Sequence, residues 1–266
     1  MSRGLDHIVH AVHDLDAAAG LYEKLGFIVG ARNKHPWGTH NRIVQFNGSY
    51  IELLTVGEPD KIAPHAAHSF SFGAFHRDFL AREQGLAMLL LNSRDAKADN
   101  AAWRAAGIGA FEVFNFEREG KRPDGAIVKL AFSLIFAADP NAPDAGFAAC
   151  QHYYPENFWN PAFQKHANGV KGIAGVVLVA DSPARHSDFL EPYTDADARD
   201  SDGGFSIHLP GATIDVVTPA AFLHRFGVAA PDTARGMRLA ALRFSGAEIA
   251  ALHRVSGALL LFEPGR

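Results

Sequence analysis

The sequence predicts an α+β fold built from repeated βαβββ modules. Three observations predict it. One hairpin pattern occurs twice: residues 44–56 read VQFNGSYIELLTV and residues 207–219 read IHLPGATIDVVTP. Both copies run apolar strand, Gly-containing turn, apolar strand, one acid, so Glu52 and Asp215 stand 163 residues apart. A strand that leads into a capped helix occurs four times, beginning near His7, Leu86, Ile173 and Arg238. Between these units lie short apolar runs separated by Gly, Pro and Asn, the punctuation of paired strands.

In the first unit, the strand at 7–12 meets Asp14 and Asp16, whose carboxylates accept from the free N–H groups of a first helical turn. The helix AAAGLYEKL comes next, and Gly26 ends it in a left-handed conformation. Leu21 and Leu25, four apart, share one helical face. Three strands are expected next, at 27–33, 42–46 and 50–56, with Asn47-Gly48 as a tight hairpin turn. In the second unit, the strand at 86–91 leads to Ser93 as cap, the helix DAKADNAAWRAA and the stop Gly107. Strands at 111–119, 127–137 and 146–153 complete it.

The segment 153–172 is rich in Pro, Asn and Gly and reads as a connector. It divides the chain into a paired βαβββ domain, 1–168, and a C-terminal part, 169–266. The third unit has a strand at 173–180, the cap Asp181-Ser182-Pro183, with Pro183 suited to the first helical position, and the helix ARHSDFL. It then crosses the polar stretch 194–204 and resumes at Phe205, which makes it one strand short. The fourth has a strand at 238–244, a capping box of Ser245 and Glu248, the helix GAEIAALHRVS stopped by Gly257, and a last strand at 259–262. It reads as truncated.

Composition excludes several functions. The chain of 266 residues is 48% apolar and 20% charged with net charge −4, ordinary for a soluble globular protein. Lys and Arg form no concentrated patch, so nucleic-acid binding is not expected. The longest apolar stretches, such as 172–180, fall short of the ~20 residues of a membrane span. The N-terminal MSRGLDHIVH does not read as a signal peptide. The single Cys150 cannot form an internal disulfide, which fits a reducing cytosol, and its apolar setting reads as core. The expectation is a cytoplasmic protein, monomer or homodimer, whose partner is a small molecule. Gly-rich phosphate loops, a GxSxG elbow and paired Cys motifs are absent. Cys150 and His152 share a strand face, but no third group orients them as a nucleophilic pair. The 20 Phe residues against 5 Tyr fill a core or line a cavity for an apolar ligand.

A unit that opens LDHIVHAVHDLDAAAGLYEKLGF and closes GSYIELL resembles the vicinal oxygen chelate superfamily. That group includes glyoxalase I, extradiol dioxygenases, methylmalonyl-CoA epimerase and bleomycin-resistance proteins. HPWGTHNRIVQFNGSYIELL and CQHYYPENFWNPAFQKHANG resemble its glyoxalase-like subfamily. The resemblance covers 5–175 in sequence and 173–262 by architecture. It implies curved mixed sheets around a cup-shaped cavity, helices outside, and metal ligands on the first and last strands of each unit.

The matching positions are His7 and Glu52 in the first unit. The second unit departs: its first strand LAMLLLN has no His, and its last strand carries His152. His7, Glu52 and His152 would supply two imidazoles and a carboxylate, a set suited to Fe, Zn, Ni or Mn. Glu52 is then ligand and the candidate catalytic base. In the third unit Ala174 falls under His7, so Asp215 lacks a partner and reads as an architectural acid. The loop 32–42 offers Trp37, Thr39, His40, Asn41 and Arg42 to a polar substrate, and Trp159 packs at the rim. Alternation puts His13 on the His7 face and His10 on the opposite one; His13 reads as a polar residue beside the helix start. His65, His68 and His76 read as a solvated loop. The implied function is a metal-dependent lyase, isomerase or ring-cleavage dioxygenase on a small oxygen-bearing substrate. The alternative is a metal-free small-molecule binding protein of the bleomycin-resistance type.

Overall fold

The structure is a computed structural model and describes residues 2–121 and 125–265. The first half runs β1 (Leu5–Ala11), α1 (Leu15–Lys24), β2 (Asn33–Lys34), β3 (Thr39–Gln45), β4 (Tyr50–Val56), α2 (Phe72–Leu80), β5 (Gly85–Asn92), α3 (Ala96–Ala105), β6 (Phe114–Lys121), β7 (Ile127–Ala137) and β8 (Gly146–His152). These strands form one mixed sheet in the order β2-β3-β4-β1-β5-β8-β7-β6. At its centre β1 pairs parallel with β4 and antiparallel with β5, and β5 pairs parallel with β8.

The second half runs, after a short α4 (Pro155–Phe158), β9 (Gly172–Val179), α5 (Ser187–Thr194), β10 (Ala198–Ser201), β11 (Gly204–Leu209), β12 (Ala212–Val217), α6 (Pro219–Phe226), β13 (Arg238–Ala247), β14 (Ala251–Val255) and β15 (Ala258–Pro264). Its sheet order, β10-β11-β12-β9-β13-β15-β14, repeats the first with one edge strand fewer. The α+β class and the repeated modules with curled mixed sheets are therefore present.

Alternation sorts each strand into two faces. On the first sheet Ile8, Val44, Phe46, Ile51, Leu53, Leu89 and Leu91 point one way and join Val176, Leu178, Phe205, Ile214, Leu242 and Phe244 of the second sheet in one core. Apolar faces of α1, α3 and α5 complete that core through Tyr22, Trp103 and Tyr193. Phe27 ties the halves directly, meeting Phe46 of one sheet and Phe244 and Phe262 of the other. The two cups thus stand back to back and open away from each other.

Several local expectations are corrected. Residues 27–33 are not a strand; only Asn33–Lys34 pair. The Ile28 N–H donates to the His166 ring and the Gly30 N–H to the Ile43 carbonyl, which leaves no ladder. The helix expected after Ser93 is capped by Asp95 instead, while Ser93 donates to Asp99. The third unit is complete: the polar run 194–204 hides β10, an edge strand whose Arg199, Asp200 and Ser201 are exposed. No helix follows β13. In the segment read as the helix GAEIAALHRVS, Gly246 and Ala247 end β13 and Ala251–Val255 form β14, with Ala251, His253 and Val255 turned inward and Leu252 and Arg254 out. Pairing with β15 overrides its helical propensity. Three helices were not foreseen: the short α4 in the connector, and α2 and α6, each placed after the acid-bearing strand of its sheet. His76, expected in a loop, is buried on α2. Among the described residues no helix is long and apolar enough to cross a membrane.

Candidate functional site

The free face of the first sheet lines a cavity of about 50 Å³. By the usual measure of one probe sphere per water, that holds roughly four water-sized groups. Its walls are aromatic: Trp37, Tyr50, Phe72, Phe116, Phe132 and Phe158. Its polar groups are His7, His35, Asn41, Glu52 and Arg118.

His7 stands on β1 opposite Tyr50 of β4 and its ring stacks on the tyrosine, centroids 4.2 Å apart. A register irregularity beside His7 lets the adjacent Asp6 reach its ring, and Nδ1 lies 2.6 Å from Asp6 Oδ1. That contact fixes the ring and turns Nε2 toward Glu52, 3.7 Å from Oε2. Glu52, opposite Val9 on β4, is buried. Asn41 of β3 donates to its Oε1 at 2.6 Å and is itself held by Asn33. Burial pushes the Glu52 carboxyl above the usual carboxylate range; His7, Asn41 and Arg118 pull against that shift and Asp6 adds to it.

His35 arrives from the loop before β3. Its Nδ1 meets Thr39 Oγ1 at 2.8 Å, its ring stacks on Trp37, and its Nε2 lies 3.8 Å from Glu52 Oε1. Burial, helped by the charges of Arg118 and neighbouring histidines, lowers its pKa to about 3, so it is neutral at pH 7.

His152, at the end of β8, reaches the same neighbourhood from the other module. Its Nε2 lies 3.2 Å from Asp6 Oδ2, and its ring packs near Phe132, Phe158 and Trp159. Asp6 thereby links His7 and His152. Burial alone would raise the Asp6 carboxyl; the charge and hydrogen bond of His152, then those of His7, outweigh it and hold it low. Asp6, Cys150 and His152 place one ligand atom each within 4.8 Å of one another. The Cys150 thiol is pushed well up by burial and the nearby carboxylates, so it stays protonated.

The sequence-derived residues divide. His7, Glu52, Asn41 and Trp37 line the cavity. Thr39 supports His35 from behind, and Trp159 packs on Tyr50 and His152 at the rim. His40 bonds Glu58 and Arg32. Arg42 faces outward and pairs with Asp16 on α1. Among the described residues, no ion-pair distance within 4.0 Å joins His152 to Glu52. Two cavity groups, His35 and Arg118, are missing from the sequence-derived set, and so is the fully buried Asp6 that holds His7 from behind. His35 sits beside Trp37 in the loop that the sequence marks, and its His-x-Trp spacing is the available signal. Asp6 is hidden by alternation, which places it away from His7.

The second cup is built alike and filled. Asp215 stands opposite Val177 as Glu52 stands opposite Val9. The register puts Gly175, not Ala174, in the place of His7. A side chain at Gly175 would press on Thr213 and the Arg243 guanidinium. Arg243 occupies that space and lies 3.3 Å from Asp215, and Arg225 of α6 pairs with Asp215 at 3.0 Å. Phe222 and Phe226 of α6 cover Val177, Val179 and Val217.

The "Glyoxalase-like domain" family model matches residues 5–194. No protein of curated function matches the sequence. Among solved structures, a hypothetical protein from Staphylococcus aureus aligns over 98% of both chains at 17% identity and TM-score 0.74. A mutant 4-hydroxymandelate synthase from Streptomyces coelicolor aligns over 97% of this chain and 79% of its own, at 12% identity and TM-score 0.56. A variant of methylmalonyl-CoA epimerase from Streptomyces coelicolor aligns over 57% of this chain and 99% of its own, at 20% identity and TM-score 0.40. The match over most of the length places this chain in the glyoxalase-like domain family, and the repeated βαβββ sheets agree with that assignment.

Proposed function

We propose that the first cup is a metal-dependent active site acting on a small oxygen-bearing molecule, in a lyase, isomerase or dioxygenase reaction, with Glu52 as its central carboxylate. One observation carries the reading: a buried carboxyl, raised by its surroundings, faces an imidazole nitrogen whose other nitrogen is fixed by Asp6. A histidine fixed by a carboxylate in this way is the usual arrangement of a metal-binding imidazole.

The donors suit a divalent cation such as Fe, Zn, Ni or Mn: imidazoles and carboxylates. Asp6 Oδ2 and His152 Nδ1 are also buried without a well-formed hydrogen bond. His7 and Glu52 would hold the ion. His152 or the nearer His35 would supply the third donor. When bound, the ion supplies Lewis acidity toward a carbonyl or enolate oxygen. The protein's own groups do the rest. Asp6 orients His7, Asn41 holds one oxygen of Glu52, and the other oxygen stays available to take a proton at Oε2. The aromatic walls exclude water and orient a flat substrate.

Metal analysis of protein purified without chelator tests this, together with His7→Ala, His35→Ala and His152→Ala. One divalent ion per chain, lost in His7→Ala, supports the reading; no stoichiometric binding of Fe(II), Ni(II), Zn(II) or Mn(II) defeats it. A metal-free binding protein is the second reading. The short Asn41–Glu52 hydrogen bond favours it, because it already satisfies one Glu52 oxygen. Ligand binding by a chain that takes up no stoichiometric divalent ion would select it.

A further inference from the structure

Arg118 is a charge the metal reading does not use. On β6, Phe114, Phe116 and Arg118 alternate with the exposed Asn115, Glu117 and Glu119. Glu117, its neighbour in sequence, is engaged outward with Lys129. Among the described residues no carboxylate oxygen lies within 4.0 Å of the Arg118 guanidinium. Its one described hydrogen bond goes to the Glu119 carbonyl, at 3.3 Å. Burial lowers its pKa, while Tyr50 and Glu52 act in the opposite sense. A partly buried guanidinium without a carboxylate is costly in an aromatic cavity, and a matching anion relieves that cost.

We propose that Arg118 is the carboxylate anchor of the substrate site, and that the substrate is a small, flat monocarboxylate of a few heavy atoms, the size the cavity admits. This rests on the reading of the first cup as the functional site, and it holds whether or not a metal binds. The planar fork of Arg118 fits a carboxylate through two parallel hydrogen bonds. Phe116 and Phe132, adjacent across β6 and β7 and stacked at 5.0 Å, form a wall for the flat part. Trp37 meets Phe116 edge to face at 5.0 Å and forms the next side. A phosphate dianion is disfavoured, because one guanidinium must offset it close to Asp6 and Glu52. An anion seated on Arg118 directs the remainder of the molecule toward Glu52 and His7, the other polar groups of the cavity.

Calorimetric titration of the full chain tests this, as purified and after chelator treatment. The probes are acetate and propionate, with acetamide and propionamide as neutral isosteres. The proposal expects the carboxylates to bind at least tenfold more tightly than the amides in both preparations. It expects Arg118→Gln to remove that preference and Arg118→Lys to retain part of it. Equal affinity for acid and amide, no binding of either carboxylate, or an unchanged preference in a folded Arg118→Gln would overturn it. The wild-type preference is decisive even if the variants fold poorly. Carboxylate binding confined to the metal-loaded form and independent of Arg118 would overturn the anchor while leaving the metal reading intact. Arg118-dependent carboxylate binding by a chain that takes up no stoichiometric Fe(II), Ni(II), Zn(II) or Mn(II) would do the reverse.

Discussion

At the scale of residues, the site is a carboxylate held between an amide and two imidazoles. Asn41 donates to Glu52 at 2.6 Å, so Asn41→Ala removes a bond that favours the charged form. The Glu52 carboxyl then rises further, and every step that needs it ionised moves to higher pH. The expected outcome is an upward shift in the acid limb of metal binding, read by titrating affinity against pH. An unchanged limb would show that Asn41 does not tune Glu52. Part of this was legible in the sequence: His7 and Glu52 come from the hairpin register and the family pattern. Asp6 and Arg118 were not, because a strand irregularity turns Asp6 against strict alternation, and Arg118 lies in a charged edge strand that resembles solvated surface.

At the scale of elements, the two cups differ in the helix placed after each acid-bearing strand. The helix α6 fills the second cup, and Phe222 is almost fully buried there. Phe222→Ala should cost about 3–5 kcal/mol of stability through the cavity it leaves, measured by denaturant unfolding. The metal content of the first cup should be unaffected in the folded variant. The last hairpin carries a second test. Ser256 and Gly257 both adopt positive φ, 43° and 85°, which is the geometry of a tight turn with the twist strands prefer. A Cβ on Gly257 would overlap the Gln84 carbonyl oxygen of the first half. Gly257→Ala should therefore destabilise by roughly 1–3 kcal/mol; a smaller loss would mean that the halves shift to accommodate it. The sequence marked this glycine as a stop but assigned it to a helix. Ala-rich composition favoured that reading, and only the pairing of β14 with β15 decides otherwise. The helix α2 went unread because it is short and follows a long loop, whereas α6 does carry a signal, Thr218 as cap, Pro219 at the first position and Gly227 as stop, directly after β12.

At the scale of the whole molecule, one core joins both sheets, and Phe27, Phe244 and Phe262 meet inside it. A fragment ending at residue 168 exposes that face and should aggregate or lose its near-ultraviolet dichroism. A soluble, folded monomer of that length would contradict the shared core. Buried histidines set the acid limit. Burial lowers His10 and His76 to about 4 and His35 to about 3. Each is neutral in the fold and binds a proton near 6.5 when unfolded. The unfolded chain therefore takes up more protons in this window, and stability falls as pH drops from about 6.5 toward 4. Glu52, with its raised carboxyl, acts in the opposite sense but is one group against three. Melting temperature should decline across that window, and His76→Phe should flatten the decline by about one proton.

On the proposed function, the first cup keeps the ligand set and the second has replaced it with an ion pair. Metal stoichiometry after reconstitution separates the two cups when the wild type is compared with Glu52→Gln and Asp215→Asn. One divalent ion per chain is expected in the wild type and in folded Asp215→Asn, and none in Glu52→Gln. A wild type that binds no stoichiometric ion, or an ion lost in folded Asp215→Asn and kept in Glu52→Gln, would contradict it.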